Sequence, residues 1–379
     1  MKIIIAPDSF KGSLSAVEVA STILSATRKI FPGASIECLP LSDGGEGLVE
    51  SLVEATGGTK YYLEVTGPLV SKVKAFWGIL GDGKTAVIEM AAASGLMLID
   101  ESQRNPLLTT SYGTGELIKA ALDKGCSRII IGIGGSATND GGAGMAQALG
   151  AELNDEQGEP ISPGGGELKR LAKIDIEGLD PRLKQVEIIA ACDVSNSLIG
   201  PQGASYIYGP QKGATSSMIK QLDEALKHYS NVIERDLGIK VENIKGSGAA
   251  GGLGAGIMAF LNGSLIPGID LVLDVIGIEE ELSDCDLLIT GEGRLDMQST
   301  FGKVPIGVAL RASKFGVPVV VLAGSVEKNI DQFHEQGVIA CFPIVNEPMS
   351  LQEAMDNAPS LLEYTASQVL RLYKRASNN

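Results

Sequence analysis

The sequence is short of several things, and each shortage removes a class of function. It has no run of lysine and arginine, and its formal net charge is −15. A nucleic-acid footprint needs a basic stripe, so nucleic acid is not expected as a partner. Histidine occurs only as His228 and His334, neither beside a motif. A Ser-His-Asp relay or a histidine-held metal is therefore poorly supported. The five cysteines, Cys38, Cys126, Cys192, Cys285 and Cys341, are odd in number, widely spaced and never in CxxC form. Buried free thiols are expected in place of disulfides. No apolar stretch approaches the ~20 residues that span a bilayer. The opening "MKIIIAPD" holds too short an apolar run for a signal peptide. A cytoplasmic protein that leaves membranes alone is expected.

What is present begins with glycine: 48 of 379 residues, or about 13%, against roughly 7% in an average chain. Clustered glycines mark places where backbone approaches a ligand closely or adopts positive φ. Apolar residues make up 44% and charged residues 20%, ordinary globular usage. The length suggests two domains at roughly 100–200 residues each.

Both ends of the chain alternate strand and helix. "KIIIAPD", "SIECLPL", "CDLLITGEG", "VPVVVLAG" and "IACFPIV" read as strands. "SAVEVASTILSATRKIF" has apolar residues at helical spacing, with Ser13 or Ser15 as cap and Glu18 as the box partner of Ser15. Such alternation argues for parallel βαβ units. The middle differs. "YYLEVTGPLVSKVKAFWGILGDGKTAVIEMA" alternates apolar and polar residues around Gly-Asp-Gly, an antiparallel hairpin pattern. The expected fold class is α/β with two domains. Residues 1–65 and 269–379 would form a discontinuous, Rossmann-like parallel-sheet domain, and 66–268 an inserted mixed α/β domain with antiparallel strands.

The candidate chemistry gathers after strands. "GIGGSATNDGGAG", residues 132–144, holds six glycines among Ser136, Asn139 and Asp140. It lies between an aliphatic run and a helix pattern, where backbone N–H groups and a helix start can bind an anion. The spacing in that turn is not a clean GxGxxG, and GxxxxGK[ST] is expected nowhere in the chain. Phosphate or carboxylate binding stands beside the plainer reading, a tight helix–strand turn. "APDSFKGSLSA" places Asp8, Ser9 and Lys11 after the first strand, where open α/β sheets bind ligands. "PLSDGGEGL" brings Asp43 and Glu46, as caps or as neighbours of a ligand. "ITGEGRLDMQSTFGK" gathers Glu292, Arg294, Asp296 and Lys303, residue types that hold Mg²⁺ or neutralise a moving phosphoryl group, or merely pair with one another. Asp193 follows an apolar strand, placed as a base, a metal ligand or a turn residue. Lys212 sits in the glycine-flanked "GPQKGA". "GSGAAGGLGAGIMAFL" reads first as a small-residue helix packed tightly on a neighbour. Scarce histidine beside Asp, Lys and Arg at strand ends suits phosphoryl transfer to a charged small molecule better than acyl transfer. The substrate is expected between the two domains.

These stretches, with "IEMAAASGL", "TTSYGTGELI" and "ACDVSNSLIGPQGAS", resemble in content and order the bacterial glycerate kinase family of type I, from residue 1 to about 325. One departure is Ser197, where the family pattern expects proline. The resemblance implies a two-domain α/β fold with an active site between domains. It also implies ATP- and Mg²⁺-dependent phosphorylation of D-glycerate, mainly to 2-phosphoglycerate, although the family name also covers the 3-phosphate product. Residue chemistry then suggests roles. Asp193, Lys11 and Arg294 would be catalytic, with Asp193 as base. Asp8, Ser9, Lys11, Asp43 and Arg294 would bind substrate. Gly134, Gly135, Ser136, Asn139, Asp140 and Lys212 would bind the nucleotide. Glu292 and Asp296, or Asp43, would hold Mg²⁺. An oligomer is compatible with the sequence. Three rivals stay open: an NAD-dependent dehydrogenase, a non-catalytic sugar-acid binding protein, and a kinase for another small hydroxy acid.

Overall fold

The computed structural model describes residues 1–45, 47–296, 303–328 and 331–377. Its strands, in chain order, are β1 (Lys2–Ile5), β2 (Ser35–Cys38), β3 (Thr59–Thr66), β4 (Lys72–Ile79), β5 (Thr85–Glu89), β6 (Arg128–Gly132), β7 (Glu152–Asn154), β8 (Lys173–Asp175), β9 (Glu187–Ala191), β10 (Ser264–Ile266), β11 (Leu287–Leu295), β12 (Val319–Val326) and β13 (Val338–Pro343). The chain divides into two compact units. One holds Met1–Asp43, Glu50–Thr56 and Ile269–Asn379; the other holds Gly44–Val49 and Gly57–Gly268. Both are α/β.

The first unit carries one five-stranded parallel sheet in the order β13-β12-β11-β1-β2. Ile3, Ile4 and Ile5 of β1 are fully buried, as expected when helices cover both faces of a parallel sheet. The helix Ala16–Ile30 begins where the sequence signals it. Ser15 Oγ accepts from Glu18 N at 3.2 Å, and the Glu18 carboxylate accepts from Ser15 N at 2.8 Å. Its apolar stripe, Val19, Ala20, Ile23 and Ala26, packs with Leu362, Ala366 and Leu370 of the helix Ala358–Ser377. The chain leaves β1 toward β2 on one side, while β11, β12 and β13 extend on the other. The reversal of order lies between β1 and β11, the place where open α/β sheets bind ligands beyond their carboxyl ends.

The second unit has a mixed six-stranded sheet, β10-β9-β6-β5-β4-β3, and a small β7-β8 ribbon. From β10 to β5 the pairs are parallel; β5-β4-β3 is antiparallel, with Tyr61 stacked on its cross-strand partner Trp77 at 5.0 Å. β3 is thus hydrogen-bonded into this sheet. Against the expectation that GxxxxGK[ST] occurs nowhere in the chain, the hairpin includes "GILGDGKT", residues 78–85, which has that spacing. A phosphate loop needs a strand–loop–helix. Here Asp82 Oδ1 instead accepts from Lys84 N and Thr85 N, both at 2.9 Å, closing a turn between antiparallel strands.

The second glycine run departs from a plain helix. Within Ala249–Leu261, Ala250, Gly251 and Gly252 take φ of 52°, 67° and 90°, and regular helix follows them. Gly251 has no room for a side chain: an added Cβ would stand 1.9 Å from Thr138 O. Its carbonyl accepts from Gly141 N at 3.0 Å. The two glycine-rich stretches are therefore packed backbone to backbone. The five cysteines are free thiols, of which Cys126 alone is fully buried and the others partly so. Both histidines serve the scaffold, His228 Nε2 against Leu171 O at 2.6 Å and His334 Nδ1 against Val338 O at 2.8 Å. Among the described residues no helix is long and apolar enough to cross a membrane.

Candidate active site

In the first unit, the carboxyl ends of β1 and β11 open into a cavity of about 690 Å³, within the roughly 300–1,000 Å³ usual for small-molecule sites. The loop after β1 is held alongside β11 by Ala6 N to Ile289 O and Asp8 N to Gly291 O, both 2.8 Å. This brings Asp8, Ser9, Lys11, Asp43, Glu292 and Arg294, all expected from sequence, to line one space. Lys303 joins them. Arg294 lies within β11, which continues to Leu295 by pairing Arg294 with Ser325 of β12. The stretch 297–302 and Glu46 lie outside the described residues.

The charges in this cavity are mixed. Lys11 Nζ is 3.8 Å from Asp43 Oδ2, and 71% of its side chain is exposed. Lys303 Nζ donates to Glu292 Oε2 at 3.3 Å and stands 3.9 Å from Asp296 Oδ1. Arg294 reaches Asp296 at 3.4 Å and Glu327 at 2.8 Å. Asp8 is 5% exposed. Burial, reinforced by the negative charges of Asp43 and Glu292, pushes its carboxyl up to about 7, against the pull of Ser9 N–H and Lys11. The site thus brings lysine and arginine side chains together with several carboxylates.

Among the described residues no group of three His, Cys, Asp or Glu side chains is arranged to hold a metal ion. Mg²⁺ is commonly held by one or two carboxylates together with substrate phosphates, and the donor set fits that pattern. Asp43 and Glu292 both raise the Asp8 carboxyl, so a cation among them would be favoured. Asp296, the other expected metal ligand, faces Arg294 and Lys303.

In the second unit, the carboxyl ends of β5, β6 and β9 lie side by side, Glu89 opposite Gly132 and Gly132 opposite Ala191. Gly44 and Gly45 lie against them: a Cβ on Gly44 would meet Ala191 Cβ at 2.7 Å, and one on Gly134 would meet Gly45 Cα at 3.0 Å. Glu89, which the sequence reading overlooked, is buried beneath this segment and accepts from Val49 N at 2.8 Å. Asp193 is exposed just past β9, one carboxylate oxygen accepting from Gly268 N at 2.7 Å.

The expected anion cradle divides into two parts. Gly134 and Gly135 are exposed. Ser136, Asn139, Asp140 and Lys212, of which nucleotide contacts are expected, are buried, and their side chains brace the turn. Asp140 Oδ2 accepts from Ser111 N and Ser111 Oγ, both at 2.8 Å, and from Gly144 N at 3.3 Å; Oδ1 accepts from Gly142 N at 3.2 Å. Burial drives its carboxyl upward, and these donors oppose the shift. Asn139 Nδ2 donates to Ser205 Oγ at 3.0 Å. Lys212, 1% exposed, donates to Ser136 Oγ at 2.8 Å and Thr138 O at 2.6 Å. Burial brings its ammonium down to about 7, with the Asp140 charge pulling the other way. Sequence gave no sign that Lys212 lies inside, because a glycine-flanked lysine ordinarily faces water.

An apolar wall was also missed. Phe10, Ile344, Met349, Leu351 and Met355 line the first unit's cavity beside its charged residues. They come from distant parts of the chain and form no motif.

Comparison with known proteins accords with this chemistry. The model of the glycerate kinase family matches residues 3–374. The chain is 55% identical to a glycerate 2-kinase of Escherichia coli, over 94% of each chain. It is 52% identical to a glycerate kinase of Bacillus subtilis, over 99% of this chain and 98% of that one. A crystal structure from Salmonella typhimurium LT2, assigned as glycerate kinase 2, covers 100% of both chains at 52% identity and a TM-score of 0.92.

Proposed function

We propose, from the premise that the chain belongs to the glycerate kinase family, that it transfers the γ-phosphoryl group of ATP to D-glycerate and releases 2-phosphoglycerate and ADP. The observation that carries this reading is the convergence of Asp8, Lys11, Asp43, Glu292, Arg294 and Lys303 on one cavity at the sheet's point of reversal. Phosphoryl transfer needs little covalent help from a protein; positioning and charge neutralisation do most of the work. The position of the phosphate follows the E. coli relative, named a glycerate 2-kinase.

In this reading Lys11 and Arg294 hold the substrate carboxylate and the phosphoryl group in transit, and Lys303 adds a third cation. Asp8 and Ser9 orient the substrate. Gly134 and Gly135 offer backbone N–H groups to an oxyanion, on a turn stiffened from within by Asp140 and Lys212. Asp193 takes the proton of the attacking hydroxyl as its oxygen bonds to the γ-phosphorus and the bond to the β,γ-bridging oxygen breaks. Glu292 and Asp43 would hold Mg²⁺, which when bound supplies positive charge beside the phosphates.

The test is ADP release from Mg·ATP with D-glycerate, followed by ³¹P NMR of the product. Glycerate-dependent ADP and a signal from phosphate on carbon 2 are expected. A signal from carbon 3 would correct the position. No ADP from folded protein would overturn the reading in favour of another hydroxy acid or a binding protein.

A further inference from the structure

The first unit's cavity is larger and greasier than glycerate requires. A three-carbon acid bearing two hydroxyls and a carboxylate has no apolar face, and the cavity's charged residues alone would hold it. The same cavity is also lined by Phe10, Ile344, Met349, Leu351 and Met355. Leu351, one of these residues, is 77% exposed, so its apolar surface is open to a ligand. Methionine offers a polarizable, adaptable surface that packs well on flat rings. The charged and apolar residues are built together. Ser13 Oγ, on the loop that bears Lys11, donates to Met355 O at 2.9 Å. Gly12, at φ 79°, lies so close to Met355 that an added Cβ would stand 2.9 Å from its Cε. A ligand that fits such a space is flat and apolar at one end and anionic at the other.

We propose that this cavity is the nucleotide site, with the adenine base against Phe10, Ile344, Met349, Leu351 and Met355 and the phosphates directed toward Lys11, Lys303 and Arg294. The proposal rests on the ATP-dependent reading above and adds where the base is held. It follows that base recognition is chiefly by shape and burial, and that the wall contributes affinity for ATP and none for phosphate alone.

Calorimetric titration of ATP and of inorganic tripolyphosphate tests this on the full chain. Wild-type protein should bind ATP about tenfold or more tightly than tripolyphosphate, the ratio expected when an apolar ring face is buried. Ala354→Trp, which fills the wall, should weaken ATP about tenfold or more, leave tripolyphosphate within about twofold, and raise KM for ATP without raising KM for glycerate. Should that variant not fold by circular dichroism, Met349→Ala should show the same selectivity at about threefold to tenfold. Equal weakening of both ligands, or unchanged ATP affinity in a folded variant, overturns the base site. Wild-type protein that turns over ATP and glycerate while the wall variants behave as wild type overturns the site alone. Wild-type protein that neither binds nor turns over ATP overturns the activity reading and the site with it.

Discussion

Both units raise loops from the carboxyl ends of parallel strands, and they use their polar side chains in opposite ways. In the first unit Lys11, Asp43, Glu292, Arg294 and Lys303 face a cavity. In the second, Asp140 and Lys212 are buried and bonded to backbone, and what faces outward is the glycine backbone of Gly134 and Gly135 together with Asp193. Flexible charged side chains can follow a ligand whose charge moves during reaction. A glycine turn cannot follow; it has to be right beforehand, and a buried scaffold of hydrogen bonds makes it so. The same residue types therefore mean different things in the two places, and burial decides which.

The sharpest test of this contrast is Asp193, an exposed carboxylate at a strand end of the second unit. If it is the base, Asp193→Asn should lower kcat about 10²- to 10⁴-fold while melting and ATP binding stay near wild type. Near-normal turnover in a folded variant would leave the second unit with no chemical group in the reaction, only a backbone one.

Next in size is a pair of substitutions, one per unit. Asp140→Ala strips acceptors from the amides of Ser111, Gly142 and Gly144 inside the core. It should cost on the order of 2–5 kcal/mol of stability, read as an earlier denaturant midpoint. Lys11→Ala removes a side chain that is 71% exposed. It should leave the midpoint nearly unchanged and raise KM for glycerate or ATP about tenfold or more. If Asp140→Ala instead left stability intact and raised KM alone, the second unit's carboxylate would be contacting ligand after all.

Much of the fold was legible because its signals are local. Ile3, Ile4 and Ile5 show a strand buried on both faces, and Ser15 with Glu18 marks a helix start that the structure shows as a capping box. Alternation over 59–79 shows the antiparallel ribbon. The charged half of the first unit's cavity was legible for the same reason, since each residue sits next to an aliphatic strand. Two features were not legible. Met349, Leu351 and Met355 become a wall only when the chain after β13 folds back over the loop after β1, a long-range event with no period or motif. The stretch "GIGGSATNDGGAG" looks uniform in sequence, yet Gly134 and Gly135 are exposed, while Gly141 packs against the second glycine run. Glycine abundance shows that backbones come close; it does not show whether the neighbour is a ligand or another strand of chain.

The last effect is the most specific to the buried scaffold. Lys212 is brought down to about 7 from an ordinary 10.5, chiefly by burial. A lysine depressed on folding weakens the folded state most where both states are protonated, which is below pH 7. Between pH 7 and 10.5 the unfolded chain holds the extra proton, so stability rises with pH by up to about 1.4 kcal/mol per unit. Lys212→Met lacks this dependence. Wild-type protein should therefore gain on the variant in denaturant midpoint from pH 7 to pH 9.5, with both curves parallel below pH 6.5. A flat difference across that range would show that Lys212 stays charged inside the fold, held by Asp140. The turn beneath Gly134 and Gly135 would then carry a fixed positive charge in place of a neutral amine, and its attraction for an oxyanion would no longer come from the backbone alone.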